Sequence, residues 1–174
     1  MFRADESFEP FWEICSQAGT LSECAHRRLG ALLRSATVFE DVIKTMCTVN
    51  CHWRNTKKMV RAMCHVFGAK HPTDKTLSAF PTPERIAGAR QSDLSKVGLG
   101  YRGDYIKTFA KAVSRRDINP EGWLYDQPDV VQRQLLSIKG IGPYAAAHVL
   151  MLLGHYGSIP CDSEVCAYLG LPPR

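Results

Sequence analysis

Two stretches of this chain hold residues of types and spacing that can do chemistry. The first is SIKGIGPYAAAHVLMLLG, residues 137–154, where Gly140 and Gly142 bracket Ile141 and Pro143 opens an apolar run. The second is IPCDSE, whose acid, Asp162, lies eight residues beyond that run. Glycines permit positive φ and carry no side chain, so a turn built from them leaves backbone N–H groups aimed outward near a helix N-terminus, where partial positive charge collects. Such a nest can cradle a phosphate oxygen without reading any base. Lys139, directly before the turn, adds a cation beside the same phosphate. Asp162 suits a different step. When an N-glycosidic bond breaks, positive charge builds on the sugar, and a facing carboxylate can stabilise it or orient an attacking water. Opposite charges ~4 Å apart at an effective dielectric of ~20 interact by about 4 kcal/mol, roughly a thousandfold in rate. Plainer readings use the same residues: an αα-corner with a glycine turn, a solvated Lys139, and Asp162 as the N-cap of SEVCAYLG. The two roles of Asp162 are compatible, because the dipole of the helix that it caps keeps it ionised. Glu164, the other nearby acid, is expected to point along the flank of that helix.

Around the turn, Leu135, Leu136 and Ile138 close a first helix over 128–137, with Pro128 in its first turn and Asp129 near its positive end. The second helix, 143–153, would run ~16 Å. The loop 154–161 then turns the chain back and returns Asp162 to the hairpin. Upstream, apolar residues at i, i+3, i+4 and i+7 predict helix over 37–67, with the pattern broken from Val49 to Asn55. Thr37 and Glu40 have the spacing of a capping box, and Gly68 is placed to end the helix. The loop AKHPTDKTLSAFPTP carries three prolines. Short helices over 83–88 and 92–97 follow, then GLGYRG, then a helix over 104–116. Near the N-terminus, residues 8–17 and 22–34 read as amphipathic helices parted at Gly19 and Thr20. No stretch alternates with period two, so the chain reads as all-α.

Composition sets the outer bounds. With 174 residues, 45% of them hydrophobic, the chain can bury a core as one globular unit or two small lobes. A net charge of +5 is compatible with a polyanionic partner. The seven cysteines are odd in number, scattered and without a CxxC, which reads as reduced thiols in a cytosolic or nuclear setting. Cys47 with Cys51, four apart on an expected helix, and Cys161 with Cys166 are spaced to meet a metal, but read better as buried small hydrophobes. MFRADESFEPFWEIC reads as neither signal peptide nor anchor, and no run reaches the ~18 apolar residues of a membrane span.

The order L-x-x-I-K-G-I-G-P-Y-A-A-A-H-V-L followed by I-P-C-D-S-E-V resembles the helix-hairpin-helix (HhH-GPD) DNA glycosylases, whose hairpin precedes an invariant Asp. VGLGYRGDYIKTFAKAV and FEDVIKTMCTVNCHWRNTKKMVRAMCHVFG are similar to matching regions of the 8-oxoguanine branch, and the 3-methyladenine branch shares the same frame. The resemblance spans about residues 37–169. It implies an all-α fold of two helical lobes, with double-stranded DNA in the groove between them and a damaged nucleotide flipped out of the stack. Asp162 would be the catalytic acid. Lys139, Gly140, Gly142 and Tyr144 of the hairpin would hold DNA, Asn50 would enter the gap in the stack, and Tyr101 and Arg102 would wedge and contact the opposite strand. Trp12, Phe39, His52, Trp53 and Tyr144 are candidate pocket walls, although most of them read better as core.

Departures from the family pattern carry expectations too. Bifunctional members place a lysine, two residues after the second hairpin glycine, as an amine nucleophile. Here that position is Tyr144, so the expectation is a glycosylase without strong lyase activity that uses water. Iron–sulfur members carry four cysteines beyond the Asp, whereas only Cys166 follows Asp162 here, so no cluster is expected; the hairpin leaves room for a monovalent cation. Only twelve residues follow Asp162, so the chain reads as truncated or minimal. A monomer is expected, with no membrane partner, acting in base excision repair in the bacterial nucleoid or a eukaryotic nucleus. The alternative is a helix-hairpin-helix module that binds DNA without catalysis.

Overall fold

The structure, a computed structural model, describes residues 6–172 and divides into two compact units, Met1–Ala36 and Thr37–Arg174. Among the described residues there is no β-strand, in agreement with the all-α reading, and no helix is long and apolar enough to cross a membrane.

The first unit packs α1 (Glu9–Gln17) against α2 (Ser22–His26). The helix expected over 22–34 stops at His26, because the chain turns where Arg28 and Gly30 take positive φ of 50° and 106°. The turn carries the carbonyl of Leu29 to the indole of Trp12, whose Nε1 donates to it at 2.9 Å. Gly30 is needed there: a Cβ on it would stand 2.5 Å from Cε1 of Phe11.

The second unit holds α3 (Val38–Thr48), α4 (Trp53–Phe67), α5 (Pro83–Ala87), α6 (Gln91–Val97), α7 (Arg102–Ser114), α8 (Pro128–Ser137), α9 (Pro143–Leu153) and α10 (Ser163–Tyr168). The stretch read as a turn before α8 contains a 3-10 helix, Pro120–Leu124. Helix α3 is central, packing on α4, α7 and α9. It buries Val38, Phe39, Val42, Ile43, Met46 and Cys47; α9 buries Ala145, Ala146, Ala147, Val149, Leu150 and Leu153. Each larger aliphatic among them is worth ~1.5–3 kcal/mol of transfer free energy. Phe39 stacks on Phe109 with centroids 5.6 Å apart and is 4% exposed, so it is core and no pocket wall.

The start of α3 is half of the expected capping box. The Thr37 hydroxyl accepts from the Glu40 N–H at 3.1 Å, but the Glu40 carboxylate turns to Lys44 at 2.5 Å. The remaining donors are satisfied from far along the chain: Glu121 accepts from the N–H groups of Val38 and Phe39, each at 3.1 Å. The break between α3 and α4 is short, leaving Cys47 inside α3 and Cys51 in the loop, so the two do not share a helix. Burial pushes the Cys47 thiol up to about 12, against the opposing charge of Arg102, which keeps it protonated. Gly68 ends α4 as expected but for another reason. Its φ is −75°, and a Cβ there would collide with the carbonyl oxygens of Ala79 and Cys64.

Candidate functional site

Helices α8 and α9 have the bounds read from the sequence, and the turn between them is held from below. Ile138 and Ile141 are buried at 8% and 5% exposure, and the Ile141 N–H donates to the Ile138 carbonyl at 3.0 Å. Gly140 takes φ +94°, the left-handed conformation that glycine was expected to supply. Gly142 does not: its φ is −98° with ψ −175°, ordinary extended backbone. What distinguishes Gly142 is open space, since a Cβ there would meet nothing within 4 Å. Gly142 caps α9 without a side-chain hydrogen bond, and Pro143 has no N–H. Helix geometry therefore leaves the N–H groups of Gly142, Tyr144 and Ala145 without intrahelical partners at the positive end of α9.

Beneath Gly140 lies Tyr105 of α7, a residue that nothing in the sequence singles out. A Cβ on Gly140 would stand 2.5 Å from Cδ2 of that ring. The ammonium of Lys139 lies 5.2 Å from the same ring's centroid, so this cation rests on an aromatic face at the rim of the turn. Tyr101 meets Tyr105 edge-on at 5.9 Å and is 54% exposed, and the Arg102 guanidinium sits 4.6 Å over the Tyr101 ring. Arg102 Nη2 donates to the carbonyls of Asn50, at 3.0 Å, and Val49. It grips the loop between α3 and α4, where Asn50 stands exposed with φ +47°. On the loop's other side the buried Thr56 hydroxyl donates to the Cys47 carbonyl at 3.1 Å. Lys139, Gly140, Tyr101, Arg102 and Asn50, which the sequence nominates separately, thus lie along one continuous path of contacts through Tyr105.

Asp162 closes the loop after α9 and is the N-cap of α10, its Oδ1 accepting from the Val165 N–H at 2.8 Å. The capping reading is therefore realised. The carboxylate is exposed, and among the described residues no hydrogen bond engages Oδ2, so one oxygen is fixed in place and the other stays available. Glu164 is exposed in the first turn of the same helix. The charge of Asp162 is felt by His148 on α9, as is that of the buried Asp41 on α3. Burial dominates and lowers the His148 pKa; the two acids oppose that shift. His148 lies one turn after Tyr144, ring centroids 6.0 Å apart. Asp162 is thus near the flank of the hairpin's second helix, with Tyr144 and His148 on that helix. Neither Asp41 nor His148 was singled out from sequence: a buried acid on an apolar helix face was the available signal for Asp41, and for His148 there was only its i+4 spacing from Tyr144.

Other expected residues are dispersed. His52 and Trp53 are exposed at the start of α4, Trp53 at 65%, and Trp12 belongs to the first unit. Among the described residues no group of three or more His, Cys, Asp or Glu is arranged to hold a metal ion.

Residues 43–165 match the family model described as HhH-GPD superfamily base excision DNA repair protein. The chain belongs to this superfamily. As an HhH-GPD chain it is 25% identical over 171 residues to the Arabidopsis thaliana protein named N-glycosylase/DNA lyase OGG1, covering 93% of its own length and 46% of that protein's. It superposes with a TM-score of 0.84 on the Clostridium acetobutylicum 8-oxoguanine glycosylase/lyase, solved with DNA containing cytosine opposite 8-oxoG, at 20% identity over 99% of this chain and 61% of the other. The 3-methyladenine DNA-glycosylase of Archaeoglobus fulgidus superposes at 0.73 with 26% identity, over 86% and 52% of the two chains. The HhH-GPD fold expected from the hairpin is thereby established. The chain spans about half the length of the curated relative and three-fifths of the clostridial structure.

Proposed function

We propose that the chain is a monofunctional DNA glycosylase that removes a damaged base from duplex DNA by hydrolysis. The observation that carries this reading is the half-engaged carboxylate of Asp162, at the end of the loop that leaves α9, together with the open glycine turn that starts α9 without a side-chain cap. The glycine turn holds a backbone phosphate, with Lys139 adding a cation at its rim. The Arg102-clamped loop presents Asn50 toward the space left by the flipped nucleotide, with Tyr101 as the wedge. Oδ1 of Asp162 stays on the Val165 N–H while Oδ2 faces the sugar, where it stabilises the developing positive charge and aligns a water for attack. Fixing the carboxylate beforehand is what makes its charge effective, since no reorganisation is needed during the reaction.

Tyr144 supports hydrolysis over lyase chemistry. A Schiff base needs an amine, and where bifunctional relatives place lysine this chain has a phenol. Lys139, the hairpin's amine, lies over Tyr105. The Arabidopsis relative's name includes lyase, so this point separates the chain from that relative.

The deciding experiment uses duplexes carrying single lesions (8-oxoguanine, hypoxanthine, a 3-methyladenine-type base, uracil), incubated with the protein and then treated with hot alkali. Strand breaks at one lesion are expected. Asp162→Asn should reduce them about a thousandfold, the share assigned to the charge, while lesion-DNA binding is kept. Full turnover by that variant would remove Asp162 from the chemistry. Tight binding with no break at any lesion would instead favour a non-catalytic module.

A further inference from the structure

Helix α4 leaves the clamped loop with an unusual face. Thr56, Met59, Met63 and Phe67 are buried, the i, i+3, i+7, i+11 stripe of a helix set on a core. On the solvent side stand Arg54, Lys57, Lys58 and Arg61, all exposed. Among the described residues none of the four is paired with a carboxylate, and the first turn of α4 holds no acid. Arg54 with Lys58 and Lys57 with Arg61 are like charges one turn apart, which repel, and cations near a helix N-terminus also oppose its dipole. Elsewhere the second unit does the reverse: Lys44 with Glu40, Lys96 with Asp93 and Arg133 with Asp129 are paired within their helices. On α4 the uncompensated charge forms a row along one face, on the helix that begins two residues beyond Cys51, where Arg102 ties the loop to α7. Arg54 to Arg61 spans about 10 Å of rise, the length of roughly three phosphates on one DNA strand.

We propose that the exposed face of α4 bearing Arg54, Lys57, Lys58 and Arg61 is a second duplex-DNA contact, which grips the sugar–phosphate backbone flanking the lesion. This rests on the reading of the chain as a DNA-binding glycosylase. The occupant is a polyanion of regular spacing because four unpaired cations in a row fit repeating charge, and it is the same duplex because the row continues from the loop that faces the flipped nucleotide. The contact is to backbone only, so it adds affinity without sequence preference.

The test measures the salt dependence of binding by the whole chain to two lesion-bearing duplexes. One is long; the other ends about two base pairs from the lesion, short of the flanking phosphates that α4 would reach. The triple variant K57A/K58A/R61A spares Arg54, which is nearest the loop, and all three residues are exposed, so its fold should be kept; far-UV circular dichroism and a urea midpoint check that. On the long duplex the slope of log K against log salt should fall in magnitude by about 2–3, near 0.9 for each phosphate that the variant no longer neutralises. On the short duplex, variant and parent should bind alike. A control that removes three cations elsewhere, K75A/K96A/R133A, should keep the parent's slope on the long duplex. An unchanged slope in K57A/K58A/R61A, with the parent still binding DNA steeply, overturns the α4 contact and leaves the glycosylase reading intact. An equal fall on both duplexes, or an equal fall in the control, overturns it as well. If the parent binds neither duplex, the glycosylase reading itself fails.

Discussion

Replacing Gly140 with alanine tests how the hairpin is held. At φ +94° an L-residue costs ~1–2 kcal/mol because its own Cβ crowds the backbone. A second cost comes from Tyr105, whose Cδ2, Cγ and Cβ would lie 2.5, 3.1 and 3.2 Å from the new methyl. Those atoms are the root of the side chain, so they cannot swing away as a flexible tip could, and an overpacked site of this kind costs ~1–3 kcal/mol. The stiffer unfolded chain returns ~0.4–1 kcal/mol. The expected net loss is about 2–4 kcal/mol, read as a lower urea midpoint at unchanged m-value. Gly142→Ala is the internal control: with φ −98° and no atom within 4 Å, its stability should match the parent or rise slightly. Its methyl would, however, stand where a phosphate must approach, so Gly142→Ala should weaken DNA binding while Gly140→Ala weakens folding. A double-mutant cycle with Tyr105→Ala isolates the steric part, with an expected coupling of ~1–3 kcal/mol. Equal stability effects at the two glycines, or an undiminished Gly140→Ala penalty once the ring is gone, would refute the argument that Tyr105 supports the turn.

Borohydride added during turnover should trap no covalent protein–DNA species, because Tyr144 supplies no amine where lysine would; a trapped band that persists in Lys139→Ala would overturn that reasoning. The pH dependence of stability should carry a mark of His148. Burial depresses its folded pKa below the ordinary value of 6.5, so on acidification the unfolded chain takes up a proton first, and stability is full above about 6.5 and falls as pH drops below it. His148→Gln should flatten the urea midpoint across that window; a parallel curve would mean that the partly exposed imidazole is protonated at no cost despite its burial. Glu121→Ala should lower stability by about 1 kcal/mol, because it leaves the N–H groups of Val38 and Phe39 without their acceptor at the start of α3, and no change in the urea midpoint would mean that water replaces the carboxylate.

Helices α8 and α9 were legible because the signals that bound them are local. Pro128 and Pro143 sit in first turns, Gly140 supplies the one left-handed residue that the turn needs, and the apolar spacing runs unbroken on either side. Asp162 was legible for the same reason, three residues before the N–H that it accepts from. The reading failed where the cause was distant along the chain. The helix expected through Arg34 ended at His26 because the Leu29 carbonyl goes to Trp12, seventeen residues away. For Phe39 the core reading holds, and the partner that settles it, Phe109, lies seventy residues away.

By itself, then, the sequence determined what depends on neighbours within a helical turn or two: the helical class, the hairpin with its unpaired donors, and an acid at a helix start. Only the tertiary structure decided what joins them. Tyr105 under Gly140, Arg102 on the Val49 and Asn50 carbonyls, Glu121 capping α3, and Asp41 with Asp162 around His148 pair groups far apart along the chain. Such contacts leave no periodicity to read, because they arise when packing of the apolar faces brings remote backbone donors, carbonyls and rings within bonding distance, after local conformation has already been set.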